Sequence, residues 1–234
     1  MKRRIPLVPV ALLGLLVAGC SSDPLNIVVL SARAPGDKCA FDDDTKYVMG
    51  GSLDFRPYTL GAGGAAAPVG NTTGYGQVFS WENNLQPTLL QVNGQTVDNG
   101  NGNDFIADSI VYEYQYTDPA VTLGPETQNV RAMIYAGAKP QDSSVGASLI
   151  QPAAGTAINN STAIDTSAQT LLVTFQIFGR LVAGQPKYTN KVSFPLTVYR
   201  SSTTPIDCYS AGQVPAGGAC GIPGRDQPIA CQKP

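Results

Sequence analysis

The strictest alternation of apolar and polar side chains runs over residues 110–117. Ile110, Tyr112, Tyr114 and Tyr116 fall on one face, and Val111, Glu113, Gln115 and Thr117 on the other. A period of two sustained that long predicts a half-buried strand, which Asp118-Pro119 closes. A second alternation sets Leu171, Val173, Phe175 and Ile177 against Leu172, Thr174, Gln176 and Phe178, with Gly179-Arg180 interrupting it. The segment from Gly184 to Pro186 then turns the chain, so 171–182 and 188–199 read as a long hairpin. Pro195 in the returning strand predicts an edge position or a bulge, because proline has no N–H to give a ladder. Weaker β-prone runs predict strands at 26–30, 49–55, 75–83, 88–92 and 129–136, with Asn93-Gly94 as a turn. The stretch 61–74, rich in glycine and alanine, reads as a loop. No window carries helical spacing; the best candidate is a single turn at 143–150.

Short strands with turn signals between them predict an all-β chain. The expected fold is an antiparallel β-sandwich, immunoglobulin-like in plan, over residues 47–202. Residues 203–234, rich in Pro, Gly and Cys, predict an irregular, disulfide-bearing C-terminal tail packed on that domain. The N-terminus is of another kind. Lys2, Arg3 and Arg4 precede an apolar run over 5–18, which is the layout of a secretory signal peptide. The run is shorter than the roughly 20 residues that span a bilayer. It ends in Ala18 and Gly19 directly before Cys20, an order that resembles a bacterial lipobox. That resemblance implies removal of residues 1–19 as a lipoprotein signal peptide, acylation of Cys20 with chains such as palmitate, and a mature protein starting there. Residues 20–46 would be the lipidated N-terminus and tether. Ser21 stands where an aspartate would retain a lipoprotein in the inner membrane of enteric bacteria. The implied location is the bacterial outer membrane, facing the periplasm or the cell surface.

Charge changes the picture next. Loss of Lys2, Arg3 and Arg4 leaves twelve basic against seventeen acidic side chains, a net charge of −5. An acidic chain without a basic cluster argues against nucleic acid as a partner. Charged residues are only 14%, so the surface relies on hydroxyl and amide groups. Of five cysteines, Cys20 goes to lipid, and Cys39, Cys208, Cys220 and Cys231 remain for two disulfides with three connectivities. The crowding of three of them near the C-terminus favours a compact Cys220–Cys231 loop with Cys39 joined to Cys208. A zinc site has no Cys-x-x-Cys pair and no histidine to support it.

The absence of histidine from the whole chain excludes Ser-His-Asp and Cys-His nucleophiles and removes the commonest general base. Ser52 lacks the Gly-x-Ser-x-Gly setting of a nucleophile elbow, and no phosphate loop is present. Asp104, Asp108 and Glu113 are the nearest carboxylate set for glycoside hydrolysis, but spacing alone supplies no catalytic geometry, and the chain reads as no enzyme. One constellation invites a cofactor. Asp98, Asn101, Asn103, Asp104 and Asp108 are candidate calcium ligands, since a glycine-broken Asp/Asn loop can offer the hard oxygens calcium prefers. The register departs from the EF-hand loop, and Asn-Gly and Asp-Asn are equally ordinary turn residues. Asp42, Asp43 and Asp44 read as a solvated turn. Ten tyrosines and Trp81 could line a glycan groove, although Tyr112, Tyr114 and Tyr116 alternate as packed residues do.

Several short motifs occur in a suggestive order: the lipobox, Gly51-Ser52-Leu53-Asp54, Glu82-Asn83-Asn84-Leu85, Asn103-Asp104, Phe178-Gly179-Arg180-Leu181, Phe194-Pro195-Leu196-Thr197-Val198 and Gly224-Arg225-Asp226. Together they resemble uncharacterised lipoproteins of myxobacteria and their relatives. Those proteins tend to carry more tail cysteines than the three here. The resemblance implies a lipid-anchored β-domain and assigns no catalytic residue. Two function classes follow. One is a structural or assembly role in the cell envelope or a surface structure, through self-association or an envelope protein partner. The other is a ligand-binding module for glycan or calcium.

Overall fold

A computed structural model describes residues 25–34, 47–59, 66–67, 74–208, 211–216 and 225–233. In chain order the first strands are β1 (Ile27–Arg33), β2 (Tyr47–Val48), β3 (Gly51–Asp54), β4 (Tyr58–Thr59), β5 (Ala66–Ala67) and β6 (Gly76–Asn83). Then come β7 (Leu89–Val92), β8 (Gln95–Asn101), β9 (Phe105–Tyr116), β10 (Glu126–Ile134) and β11 (Ser144–Ser148). Two short helices follow, α1 (Pro152–Asn159) and α2 (Ala163–Thr166). The chain ends with β12 (Gln169–Leu181), β13 (Pro186–Tyr188), β14 (Val192–Tyr199), β15 (Val214–Ala216) and β16 (Ala230–Gln232).

Two sheets carry the core. A four-stranded antiparallel sheet has the order β11-β6-β1-β2, and a six-stranded sheet runs β10-β9-β12-β14-β3, with β13 pairing onto β12. Three separate two-stranded ribbons are β4-β5, β7-β8 and β15-β16. The expected antiparallel pairing holds except that β14 and β3 are parallel. Aromatic rings of the two sheets meet directly: Phe79 of β6 lies 4.8 Å from Phe175 of β12 and 6.0 Å from Phe194 of β14. Trp81 of β6 meets Phe105 of β9 edge-on at 6.2 Å. Apolar burial of this kind dominates the stability of the fold.

The strands predicted from alternation are present, and the differences have local causes. β9 begins at Phe105 rather than at residue 110, because Phe105 and Ala107 are buried, then Ile110 and Tyr112. That spacing of three marks a bulge, which breaks the period-two signal at Asp108 and Ser109. On the partner, β12 runs through Gly179 instead of being interrupted there, and the β12–β9 register shifts between Phe178 and Gly179. A Cβ at Gly179 would lie 2.0 Å from the Ile106 carbonyl oxygen, so glycine is what allows this close approach.

The hairpin of β12 and β14 forms with Leu172 opposite Pro195. Pro195 is neither on an outer strand nor at a bulge of this ladder. It sits one residue before the parallel pairing of β14 with β3 starts at Leu196, so β14 is locally unpaired on that side.

Two expectations are corrected. Residues 144–148 form strand β11, not a helical turn. The helix comes afterwards, with Pro152 in its first turn and Ala154, Gly155 and Ile158 buried. Its first amides are capped from a distance: Glu126 accepts from Ala153 N at 3.1 Å and Ala154 N at 2.8 Å, a favourable place for a carboxylate. The domain also starts earlier than residue 47. β1 lies inside the segment read as tether, and it pairs with β6 as an internal strand, with Ile27 and Val29 buried.

Candidate functional site

The candidate calcium ligands whose side chains are described, Asn101, Asn103, Asp104 and Asp108, are each bonded to protein groups. Residues 95–101 are strand β8, folded back on β7 through Asn93 and Gly94, whose φ values of 52° and 78° suit a tight hairpin turn. Asn101 Oδ1 accepts from Thr88 N and Asn103 N at 3.1 and 3.0 Å, and Asn103 Nδ2 donates to Gln86 O at 2.7 Å. Asp104 is buried and accepts from Ala136 N at 2.8 Å. Asp108 is ion-paired with Arg180 at 2.5 Å. The Asp98 side chain lies outside the described residues. Among the described residues no group of three or more His, Cys, Asp or Glu could hold a metal ion.

The carboxylate set is likewise dispersed. Asp108 faces Arg180 near one end of β12, while Glu113 pairs with Lys191 at 2.8 Å and lies opposite Thr174. Five residues along a strand put the two acids about 15 Å apart, beyond the about 5 to 9.5 Å that glycosidase carboxylates keep.

The aromatic residues divide. Trp81, Tyr75 and Tyr112 are buried, so Trp81 lines no open groove. Burial pushes the Tyr112 and Tyr114 hydroxyls well above their usual range. On the outer face of the six-stranded sheet, Phe178 and Tyr188 lie 6.1 Å apart and are 37% and 55% exposed. Phe178 borders a shallow recess of about 90 Å³ that Glu113, Gln176 and Lys191 also line.

Two motifs singled out on sequence, Gly51–Asp54 and the Arg225-Asp226 pair, come together where the tail meets β3. Asp226 Oδ1 accepts from Ser52 N at 2.9 Å and from the Tyr75 hydroxyl at 3.1 Å, and Asp226 N returns a bond to Ser52 O. Arg225 is buried, forms a bridge with Leu53, donates to Gln77 Oε1 at 3.0 Å and stacks 4.8 Å over the Tyr75 ring. Its Nε lies 3.4 Å from Asp226 Oδ2.

Tyr75 responds to these neighbours. Burial first, then the Asp226 carboxylate, push its hydroxyl up to about 12, against the opposing pull of Arg225. Asp54, wholly buried, accepts from Arg56 N, Ser201 N, Ser201 Oγ and Ile229 N at 2.6 to 3.1 Å. Ser52, bonded to Asp226 through both its backbone amide and its carbonyl, has a structural position in this tail latch. Sequence reasoning missed the buried cations: Arg225, and Arg33, which donates to Ser80 Oγ at 2.7 Å and to the Pro140 carbonyl. No signal in composition or spacing marks a charge as internal.

The tail latch is fastened by a disulfide between Cys208 and Cys231. This corrects the expected pairs, Cys220 with Cys231 and Cys39 with Cys208. Strands β15 and β16 place Cys231 opposite Pro215, and Gln213 N donates to Cys208 O, so Cys208 is the sulfur the ribbon delivers. Cys20, Cys39 and Cys220 lie outside the described residues, as do residues 1–19, read from sequence as a signal peptide, and residues 35–46 of the segment read as tether. Among the described residues no helix is long and apolar enough to cross a membrane.

What remains open to a partner is apolar surface and strand edge. Among the described residues the β7-β8 ribbon pairs only with itself and exposes Leu89 at 73%, Val92 at 52% and Val97 at 38%. Set against models of protein families, curated proteins and solved structures, the chain matches none.

Proposed function

We propose that the chain is an outer-membrane-anchored bacterial lipoprotein with a structural or assembly role in the cell envelope or a surface structure, acting through protein–protein contacts. The observation that carries this reading is the β7-β8 ribbon, which holds Leu89, Val92 and Val97 out in solvent. Exposed apolar side chains on a self-paired hairpin contribute nothing to the core and suit a docking surface. In the same reading the two sheets are an immunoglobulin-like β-sandwich, with Phe79 packed against Phe175 and Phe194 across the interior. The anchor is acylated Cys20, by its resemblance to a lipobox cysteine, and the relatives are the myxobacterial lipoproteins that share its short motifs.

Two measurements test this. A Cys20→Ser variant is expected to accumulate unprocessed or to leave the membrane fraction; recovery in membranes at the normal mature size would refute the anchor. Cross-linking in intact cells is expected to trap the chain with itself or an envelope protein, at a yield that falls on Leu89→Ser and Val92→Ser substitution. A second reading, glycan binding, has one observation in its favour: the exposed Phe178–Tyr188 ring pair beside Gln176, Glu113 and Lys191. Silence of the protein on arrays of bacterial polysaccharides removes it.

A further inference from the structure

We propose that β11 is a homodimer edge: two copies pair antiparallel through Ser144, Gly146 and Ser148 about a two-fold axis at Gly146, joining two four-stranded sheets into one of eight. The inference rests on the self-association reading above and names its contact.

Among the described residues β11 is the outer strand of its sheet and pairs with β6 alone. Trp81 N donates to Ser143 O, and Leu149 N to Tyr75 O. With the unbroken register Ser144↔Ser80 to Ser148↔Gly76, the odd-numbered residues are therefore the ones bonded to β6. Antiparallel ladders alternate in this way, so the amides and carbonyls of Ser144, Gly146 and Ser148 point outward. One of these groups has a further partner: Ser148 O accepts from Gln151 Nε2 at 2.5 Å, which leaves that oxygen a second lone pair.

Exposed edges are normally guarded by charge, proline, bulges, shortness or a covering segment. The other described edges of the two sheets each have such a device. The tail bridges Leu53 through Arg225 at the β3 edge. β10 carries Glu126 and Arg131 and a register irregularity between Asn129 and Ala132, and β2 is two residues long. β11 reads Ser-Val-Gly-Ala-Ser, without charge, proline or bulge.

The same five residues identify the occupant as a second copy. Read in either direction the strand is nearly the same, so pairing centred on Gly146 sets Ser144 opposite Ser148 of the other copy, Val145 opposite Ala147, and Gly146 opposite itself. The outward backbone groups fall on these bonded pairs. Val145 and Ala147, each 4% exposed and facing the core, meet their like on the same face, as a period of two requires. Gly146 is not required by its own fold: a Cβ there would meet nothing within 4 Å, and its φ is not positive.

The test uses the full-length lipoprotein in mild detergent, with its protein mass read by light scattering over a micromolar concentration series. The wild type is expected to approach twice the monomer mass. Gly146→Lys, which sets like charges opposite each other across the axis, should stay monomeric, with the melting temperature the wild type shows when diluted to monomer. Gly124→Lys, at an exposed loop glycine with equally open space, should still dimerise. Amide exchange of the wild type supplies a measurement free of substitution: the Gly146 amide should become protected as concentration rises. A dimer that survives Gly146→Lys, with Gly146 exchanging at one rate throughout, overturns the β11 contact and leaves self-assembly standing. A wild-type monomer at every concentration overturns the contact and self-association together, while cross-linking in cells separately reports on an envelope partner.

Discussion

At Asp54 one carboxylate closes three segments distant in sequence: β3, the chain just after β14 at Ser201, and the tail at Ile229. An amide of the same shape would turn a donor toward groups that are themselves donors. Hydrogen bonds to a charged group are worth about 1.5 to 3 kcal/mol each, so Asp54→Asn is expected to lower unfolding free energy by about 2 to 3 kcal/mol in urea titration. An unchanged midpoint would show that the carboxylate is not what fastens the tail. Gly51 makes a sharper case. A Cβ there would sit 1.9 Å from the Tyr75 hydroxyl oxygen and 2.9 Å from Asp226 Oδ1, and such overpacking costs about 1 to 3 kcal/mol. Gly51→Ala should therefore destabilise, whereas Gly146→Ala, with open space around it, should be neutral or stabilising by under about 1 kcal/mol. Equal effects at the two glycines in thermal melts would contradict this account of the latch.

The tail is an element held by side chains and one covalent bond more than by a ladder. Cys208 and Cys231 enclose a loop of 23 residues' separation, which by chain entropy stabilises the folded state by about 3 kcal/mol. A Cys208→Ser/Cys231→Ser double variant should lose about that much, and its Tyr75–Arg225–Asp226 cluster should become accessible to protease at the tail. With these two joined, a two-disulfide scheme leaves Cys39 for Cys220, a link that non-reducing peptide mapping would detect; free thiols at both positions would refute it. How far the elements were legible follows from the same physics. β12 and the C-terminal half of β9 were readable because one face is buried over an unbroken period of two. The start of β9 was hidden by the bulge at Asp108 and Ser109, and α1 by its length, since two turns with Gly155 and Thr156 inside offer little periodicity beyond Pro152, Ala154 and Ile158. The Asp/Asn/Gly run at 98–104 looked like a ligand loop because hairpin strands and turns use the same residues as calcium sites; only the bond partners of Asn101 and Asp104 separate the two.

For the molecule as a whole, titration is governed by what lies between the sheets and under the tail. Burial raises the hydroxyls of Tyr75, Tyr112, Tyr114, Tyr116 and Tyr199. A group whose folded value exceeds its unfolded one contributes stability that is complete below the unfolded value and lost as pH rises through the folded one. For Tyr75 that window runs from its ordinary 10.0 to about 12. At the acid end the sign reverses for Asp118, held below the usual carboxylate range first by the Ser161 hydroxyl and then by the Ala120 amide. Its contribution is present above that range and fades as pH falls through the lowered value. Between these limits the chain has no histidine to titrate, so the melting temperature should be level from about pH 5 to about pH 9. Above about pH 10 it should fall steeply, with the tyrosinate absorbance of the buried hydroxyls rising together with loss of secondary structure, since those hydroxyls ionise as the sheets part. Tyrosinate appearing fully at pH 10 in a protein whose circular dichroism stays native would mean that Tyr75, Tyr112 and Tyr114 are reached by solvent in the folded state, and the packed interior described for these sheets would have to be abandoned.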